Sequence, residues 1–175
     1  MSRVAPSSAA LPIAYAVLRI VIVLNWMFGA AILALLVVMP NERWIMTAFK
    51  LSPSAEAGRL ILGLRAIAVT GLASVPLNHV VLQRLVAMVE TVRAGDPFVV
   101  ANANRLQTMA WALLALQLLS ILVGAIAKAI SSPANPIKLD AGFSISGWLA
   151  VLLAFVLARV FAEAARMRED LAGTV

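Results

Sequence analysis

The sequence predicts an all-α protein, an integral-membrane antiparallel four-helix bundle whose helices extend past the lipid on the cytoplasmic side. Three observations carry that prediction. Of 175 residues, 63% are apolar and 13% charged, with mean hydropathy +0.99, whereas soluble domains are roughly half apolar and a quarter charged. Four apolar runs each approach the roughly 20 residues a helix needs to cross a bilayer. Between the second and third lies a polar stretch, Arg84 to Trp111, that divides the chain into two hairpin-like halves.

Taken in order, the head from Met1 to Leu11 carries Arg3, Pro6 and two serines and reads as disordered or interfacial. A span follows over about 17–39. Its apolar run from Ile20 to Met39 outlasts a signal-peptide core of about 7–15 residues, so it is expected to stay uncleaved. Arg19 sits at its end, where a long side chain can snorkel to the headgroups. From Pro40 to Gly58, Trp44, Ile45, Met46 and Phe49 suggest a short helix on the outer interface. The second span, about 60–82, contains Pro76, where a kink is expected because proline removes a backbone donor and clashes with the preceding turn, and continues as a helical extension from Gln83 to Val92. A single domain, 1–175, accommodates all of this.

The connector, 83–105, is the most specified loop in the sequence. Gly95 can take the left-handed conformation after a last helical turn, and Pro97 forbids continuation. Asn102 and Asn104 are candidate caps for a helix starting near Arg105. The third span, about 106–130, ends in a cluster with Pro133 and Pro136 that marks an outer loop. The fourth, about 143–161, runs on into a tail, 162–175. There Arg159, Glu163, Arg166 and Asp170 form one stripe and Val160, Ala164, Met167 and Leu171 another.

Charge and composition exclude several functions. The net charge of +6 invites a nucleic-acid reading, but the basic residues are scattered around span ends, where they meet lipid headgroups. Direct nucleic-acid binding is therefore not expected. No cysteine is present and His79 is the sole histidine, so thiol chemistry and a zinc site are not expected. Gly95 stands alone where a nucleotide loop would need several glycines. The sequence offers no catalytic residues, no cofactor and no metal ligands, and an enzyme is not expected.

Two sets of residues remain as candidates. In the spans, small residues at four-residue spacing suggest close helix packing. They are Ala66, Thr70, Ser74 and Asn78 in the second, and Ser146, Ala150, Ala154, Ala158 and Ala162 in the fourth. Gln117, Ser120 and Gly124 share a side of the third, and Asn25 pairs with Gly29 in the first. Asn25, Asn78, His79 and Gln117 are thereby expected to form a polar seam inside the bundle, structural unless it binds a ligand or passes a proton. On the cytoplasmic face, Arg93, Gly95, Asp96, Pro97, Phe98, Asn102, Arg105, Arg166, Arg168, Glu169 and Asp170 are expected to form an interaction surface. There Phe98-Val99-Val100 should approach Thr174-Val175 with Arg166, Arg168, Glu169, Asp170, Asp96 and Arg105 as a polar network around them, and Asp96 and Glu90 are also expected to pair with Arg84, Arg93, Arg105 or Arg159.

The run Gly95-Asp96-Pro97-Phe98, then Asn102-Ala103-Asn104-Arg105-Leu106, then the closing Arg168-Glu169-Asp170-Leu171-Ala172-Gly173-Thr174-Val175, resembles the YoaS-like family of uncharacterised four-helix bacterial inner-membrane proteins. The resemblance implies no activity, but members are often encoded beside a small helix-turn-helix regulator, which points to that class of partner. It also supports placing both termini in the cytoplasm. Counting basic residues alone gives eight inside and six outside, a shallow bias. The leading expectation is a non-enzymatic regulatory or tethering protein of the bacterial inner membrane that contacts membrane lipids and a small helix-turn-helix regulator. The alternatives are a small transporter or pore, as a homo-oligomer, and a packing factor for a larger membrane complex.

Overall fold

The computed structural model describes residues 10–38, 46–47, 55–131, 137, 139 and 141–172. These form four long helices: α1 (Ala10–Val38), α2 (Ala55–Arg93), α3 (Val100–Ile130) and α4 (Ile145–Ala172). Each is long and apolar enough to cross a membrane, and the protein is a multi-pass membrane protein. At 1.5 Å per residue, the 39 residues of α2 extend about 58 Å. That is nearly twice the hydrocarbon thickness of about 30 Å. Much of α2 therefore stands clear of the lipid.

The spacing of polar residues marks where the apolar slab falls. Arg65 and Arg84 bracket it on α2, Gln107 and Lys128 on α3, and Arg159 closes it on α4. Arg84 and Arg159 are exposed, as charges at a lipid boundary should be. Packing keeps these levels aligned. Thr91 at the end of α2 meets Asn102 near the start of α3, and the glycine at 63 faces Ile130 at the other end.

Among the described residues, only helices consecutive in the chain pack together: α1 on α2, α2 on α3, α3 on α4. The four helices thus form an open antiparallel row, with α2 and α3 in the middle and the most buried. The single interior expected to hold Asn25, Asn78, His79 and Gln117 does not form, because α1 never reaches α3 or α4. Close approach is instead made pair by pair. Gly29 of α1 lies against Val75, whose methyl would stand 3.0 Å from an added Cβ. Asn25 Nδ2 donates to the Val75 carbonyl at 3.0 Å. α2 itself runs unbroken through Pro76.

The small-residue stripes are also reassigned. On α4 the residues buried against α3 are Val151, Ala154, Ala158 and Ala165, while Ser146 and Ala150 are exposed. The reason is geometric: four residues turn a helix by about 400°, so a strict four-residue stripe winds off the contact line, whereas alternating steps of three and four stay on it. On α2, Thr70 donates to Ala66 O and Ser74 to Gly71 O. These hydroxyls serve their own helix and tie no neighbour to it.

Candidate functional site

The densest polar cluster is the junction of α2 and α3. α2 ends as the sequence suggests: Gly95 has φ +82°, Asp96 N–H donates to Thr91 O at 3.0 Å and Gly95 N–H to Val92 O at 3.1 Å. This pairing of the sixth residue to the first and the fifth to the second satisfies carbonyls that the last turn would leave free. α3 then begins at Val100, five residues earlier than expected, with Val99 as its cap and no side-chain capping bond. Asn102 and Asn104 are therefore inside the helix, and neither caps it.

Asn102 has a different task. Its side chain is 1% exposed and reaches back to α2. Nδ2 donates to Thr91 Oγ1 and to Pro97 O, both at 2.8 Å, while Oδ1 accepts from Arg105 Nη1 at 2.7 Å. Arg105 in turn donates to Ala87 O at 3.1 Å, and the Thr91 hydroxyl lies 2.7 Å from Met88 O. Every polar atom of this amide is thus engaged, as burial demands. One residue ties the end of α2, the connector and the start of α3 into a unit.

α4 joins the same unit. Arg168 pairs with the Asp96 carboxylate, and Phe98 packs on Phe161 with ring centroids 5.4 Å apart. On the other flank, Arg93 lies over the Tyr15 ring at 5.7 Å, and Arg19 donates to the Tyr15 hydroxyl through Nε at 3.1 Å and Nη2 at 2.8 Å. The connector end of the row is therefore cross-linked from α1 to α4 even though those helices do not touch.

Midway along α3, the contact with the start of α4 depends on positions that lack a side chain. The non-helical segment 141–144 lies on α3, where an added Cβ at Gly124 would stand 2.7 Å from Ala141 O and 2.8 Å from Gly142 Cα. Ser120 Oγ donates to Gly142 O at 3.3 Å and accepts from Gly142 N–H at 3.2 Å. Gln117 Nε2 donates to Ser144 O at 3.2 Å. Ser144 caps α4, its Oγ accepting from Gly147 N–H at 3.2 Å. Gln117 lies about 15 Å along α3 from Gln107 and about 16 Å from Lys128, so α4 starts level with the middle of α3's apolar run. Irregular backbone at that depth requires protein partners for its polar groups, and Gln117 and Ser120 supply them.

Residues 39–175 match the family described as "Protein of unknown function (DUF2975)". The chain belongs to that family. No curated protein and no solved structure matches it. The DUF2975 description brings no activity to these residues, and the YoaS-like name does not appear in it. The DUF2975 match takes in both junctions and all of α2, α3 and α4; the whole of α1 precedes it.

Of the residues singled out from sequence for the interaction surface, the fold brings Gly95, Asp96, Pro97, Phe98, Asn102, Arg105 and Arg168 together. Arg166, Glu169 and Asp170 are exposed on α4. Arg93 turns to Tyr15 on α1, and Asp96 takes Arg168 in place of the arginines expected, because α4 runs on past the connector and delivers Arg168 to it. Thr174 and Val175 lie outside the described residues, as does most of the expected outer interfacial helix. Of that segment, Met46 packs near Ile61 with Leu36 and Leu64.

The expected intramembrane seam is split. Asn25 and Asn78 line a groove of about 350 Å³ between α1 and α2, with Phe28 and Leu82, and Gln117 faces α4. His79 accepts a hydrogen bond at Nδ1 from Trp26 Nε1 at 3.2 Å. This pair escaped the sequence reading. A tryptophan and a histidine 53 positions apart give no local signal.

Proposed function

We propose that the DUF2975 chain is a non-enzymatic tethering or regulatory protein of the bacterial inner membrane, and that its connector end is a cytoplasmic platform for a soluble partner. The observation that carries this reading is the uncovered stripe on α4. Val160 and Met167 are 54% and 55% exposed beside the charged residues Glu163, Arg166 and Asp170, while the opposite face of the helix packs on α3 through Ala158 and Ala165. An amphipathic stripe held by a rigid, hydrogen-bonded base suits a helix-in-groove or helix-on-helix contact. The partner class is a small helix-turn-helix regulator, taken from the family resemblance. Holding such a regulator at the membrane would lower its free concentration at DNA by mass action.

Photo-crosslinking from Met167 and from Phe98 in intact cells tests the platform. A soluble partner captured at both positions, and lost when Val160 and Met167 are replaced by glutamate, supports it. Capture of lipid alone, with unchanged transcription on deleting the gene, would remove it. A second reading, a small transporter or pore, draws on the non-helical segment 141–144 level with the middle of α3, since transporters place broken helices at that depth. Solute flux in liposomes that disappears with Gln117→Leu would favour this second reading.

A further inference from the structure

A cavity of about 270 Å³ opens between α3 and α4 at the level of Arg159. Its floor is Ala103, Ala158 and Ala162, its polar rim Asn104, Gln107 and Arg159, and its apolar lip Phe155. The arrangement follows the chain's chemistry. Three alanines on facing helices leave a void where larger residues would meet, and the T-shaped contact of Phe155 with Trp111, centroids 5.2 Å apart at 87°, holds the lip in place. Arg159 and Gln107 stand where the apolar runs of α4 and α3 begin. The cavity therefore opens at the boundary between hydrocarbon and headgroups.

The rim is made of donors without partners. Asn104, Gln107 and Arg159 are exposed, and among the described residues none of these three side chains makes a hydrogen bond or ion pair. No carboxylate lines the cavity, and the neighbouring cations are held elsewhere. Arg105 is turned away to Asn102 and Ala87, Arg168 is engaged by Asp96, and Glu163, one turn beyond Arg159, is not part of the lining. A guanidinium flanked by two primary amides presents N–H groups to a tetrahedral anion, and the aromatic lip below offers an apolar surface to whatever that anion carries. Basic pockets between membrane helices suit lipid headgroups for the same reason.

We propose that this cavity is a binding site for the phosphodiester of an anionic phospholipid, with Arg159, Asn104 and Gln107 on the phosphate oxygens and Phe155 against the glycerol and upper acyl chain. The proposal is independent of any soluble partner.

Native mass spectrometry of the purified full chain in detergent, titrated with phosphatidylglycerol, phosphatidylcholine or inorganic phosphate, reads the site directly. The intact chain is expected to retain phosphatidylglycerol in preference to phosphatidylcholine, and inorganic phosphate should not displace it. Arg159→Gln should weaken phosphatidylglycerol binding roughly tenfold, as loss of a charge-assisted hydrogen bond implies. Ala162→Leu, which fills the cavity and keeps the charge, should weaken it comparably. Arg84→Gln removes an exposed arginine at the same membrane level outside the cavity and should leave binding nearly unchanged. Equal losses from Arg84→Gln and Arg159→Gln would overturn the proposal in favour of a diffuse attraction of lipid to charge. So would displacement by phosphate alone. Should Ala162→Leu fail to run as a monodisperse helical protein, the contrast between the two arginine variants decides.

Discussion

The two junctions that flank α3 solve one problem by opposite means. Where α2 turns into α3, the chain needs only residues 94–99 between helices, and side chains do the tying: buried Asn102 bonds the Thr91 hydroxyl and the Pro97 carbonyl, and Arg105 reaches across to the Ala87 carbonyl. Where α3 passes to α4, the chain lays its backbone directly on the helix, and the contact exists because Gly124 has no side chain to block it. The first junction is polar and stands at the end of the row, beside water. The second lies level with the apolar middle, where two side chains, Gln117 and Ser120, satisfy what the irregular backbone leaves open. Side-chain chemistry specifies the first joint. Its omission specifies the second.

This contrast can be broken by substitution, with stability read as unfolding in mixed micelles of sodium dodecyl sulfate and a mild detergent. The largest effect is expected from Asn102→Leu, which leaves Thr91, Arg105 and the Pro97 carbonyl without their buried partner and should cost about 2–4 kcal/mol. A loss under about 1 kcal/mol would mean that water replaces the amide and that the joint is not held as described. Gly124→Ala comes next, at about 1–3 kcal/mol, because the added methyl meets the backbone of Ala141 and Gly142, which cannot rotate aside. Gly147→Ala sharpens the point. There the obstacle is the Gln117 side chain, which can swing away, so the loss should be smaller than at Gly124; the reverse order would contradict the distinction between rigid and yielding neighbours.

Ser120→Ala removes a hydroxyl that both donates to and accepts from Gly142, and about 1 kcal/mol should follow. The smallest effect belongs to Arg168→Ala. Its ion pair with Asp96 is open to solvent, with side chains 57% and 40% exposed, so about 0.2–1 kcal/mol is expected, shrinking as salt is added. A large, salt-insensitive loss there would move the centre of the platform from Asn102 to α4.

Much of the architecture was legible in the sequence because hydropathy, run length and the Gly95–Pro97 stop all act locally. The four helices and the end of α2 follow from those signals. The start of α3 did not, since Asn102 and Asn104 satisfy the compositional rule for a cap, and only the tertiary position of Thr91 and Pro97 shows that Asn102 is turned backwards. The open row was likewise hidden: small residues say that helices approach closely, and they do not say which helices. Gln117, Ser120 and Gly124 were recognised as one side of one helix, yet their meaning depends on segment 141–144, whose own sequence reads only as a loop. Of the candidate face, the local turn was readable. So was a shared polar network for Asp96 and Arg168, but not that these two, 72 residues apart, form the direct pair.

The functional account needs the connector and the exposed stripe of α4 on one side of the membrane, facing the cytoplasm, with the α3–α4 loop on the other. Because the chain has no cysteine, single replacements at Asp96, Met167 and Leu139 can be labelled one at a time in intact cells with a membrane-impermeant maleimide applied from outside. The account predicts that Leu139→Cys is labelled while Asp96→Cys and Met167→Cys react only after the membrane is opened. Labelling of Asp96→Cys and Met167→Cys in unopened cells, or opposite behaviour of those two positions, would contradict it.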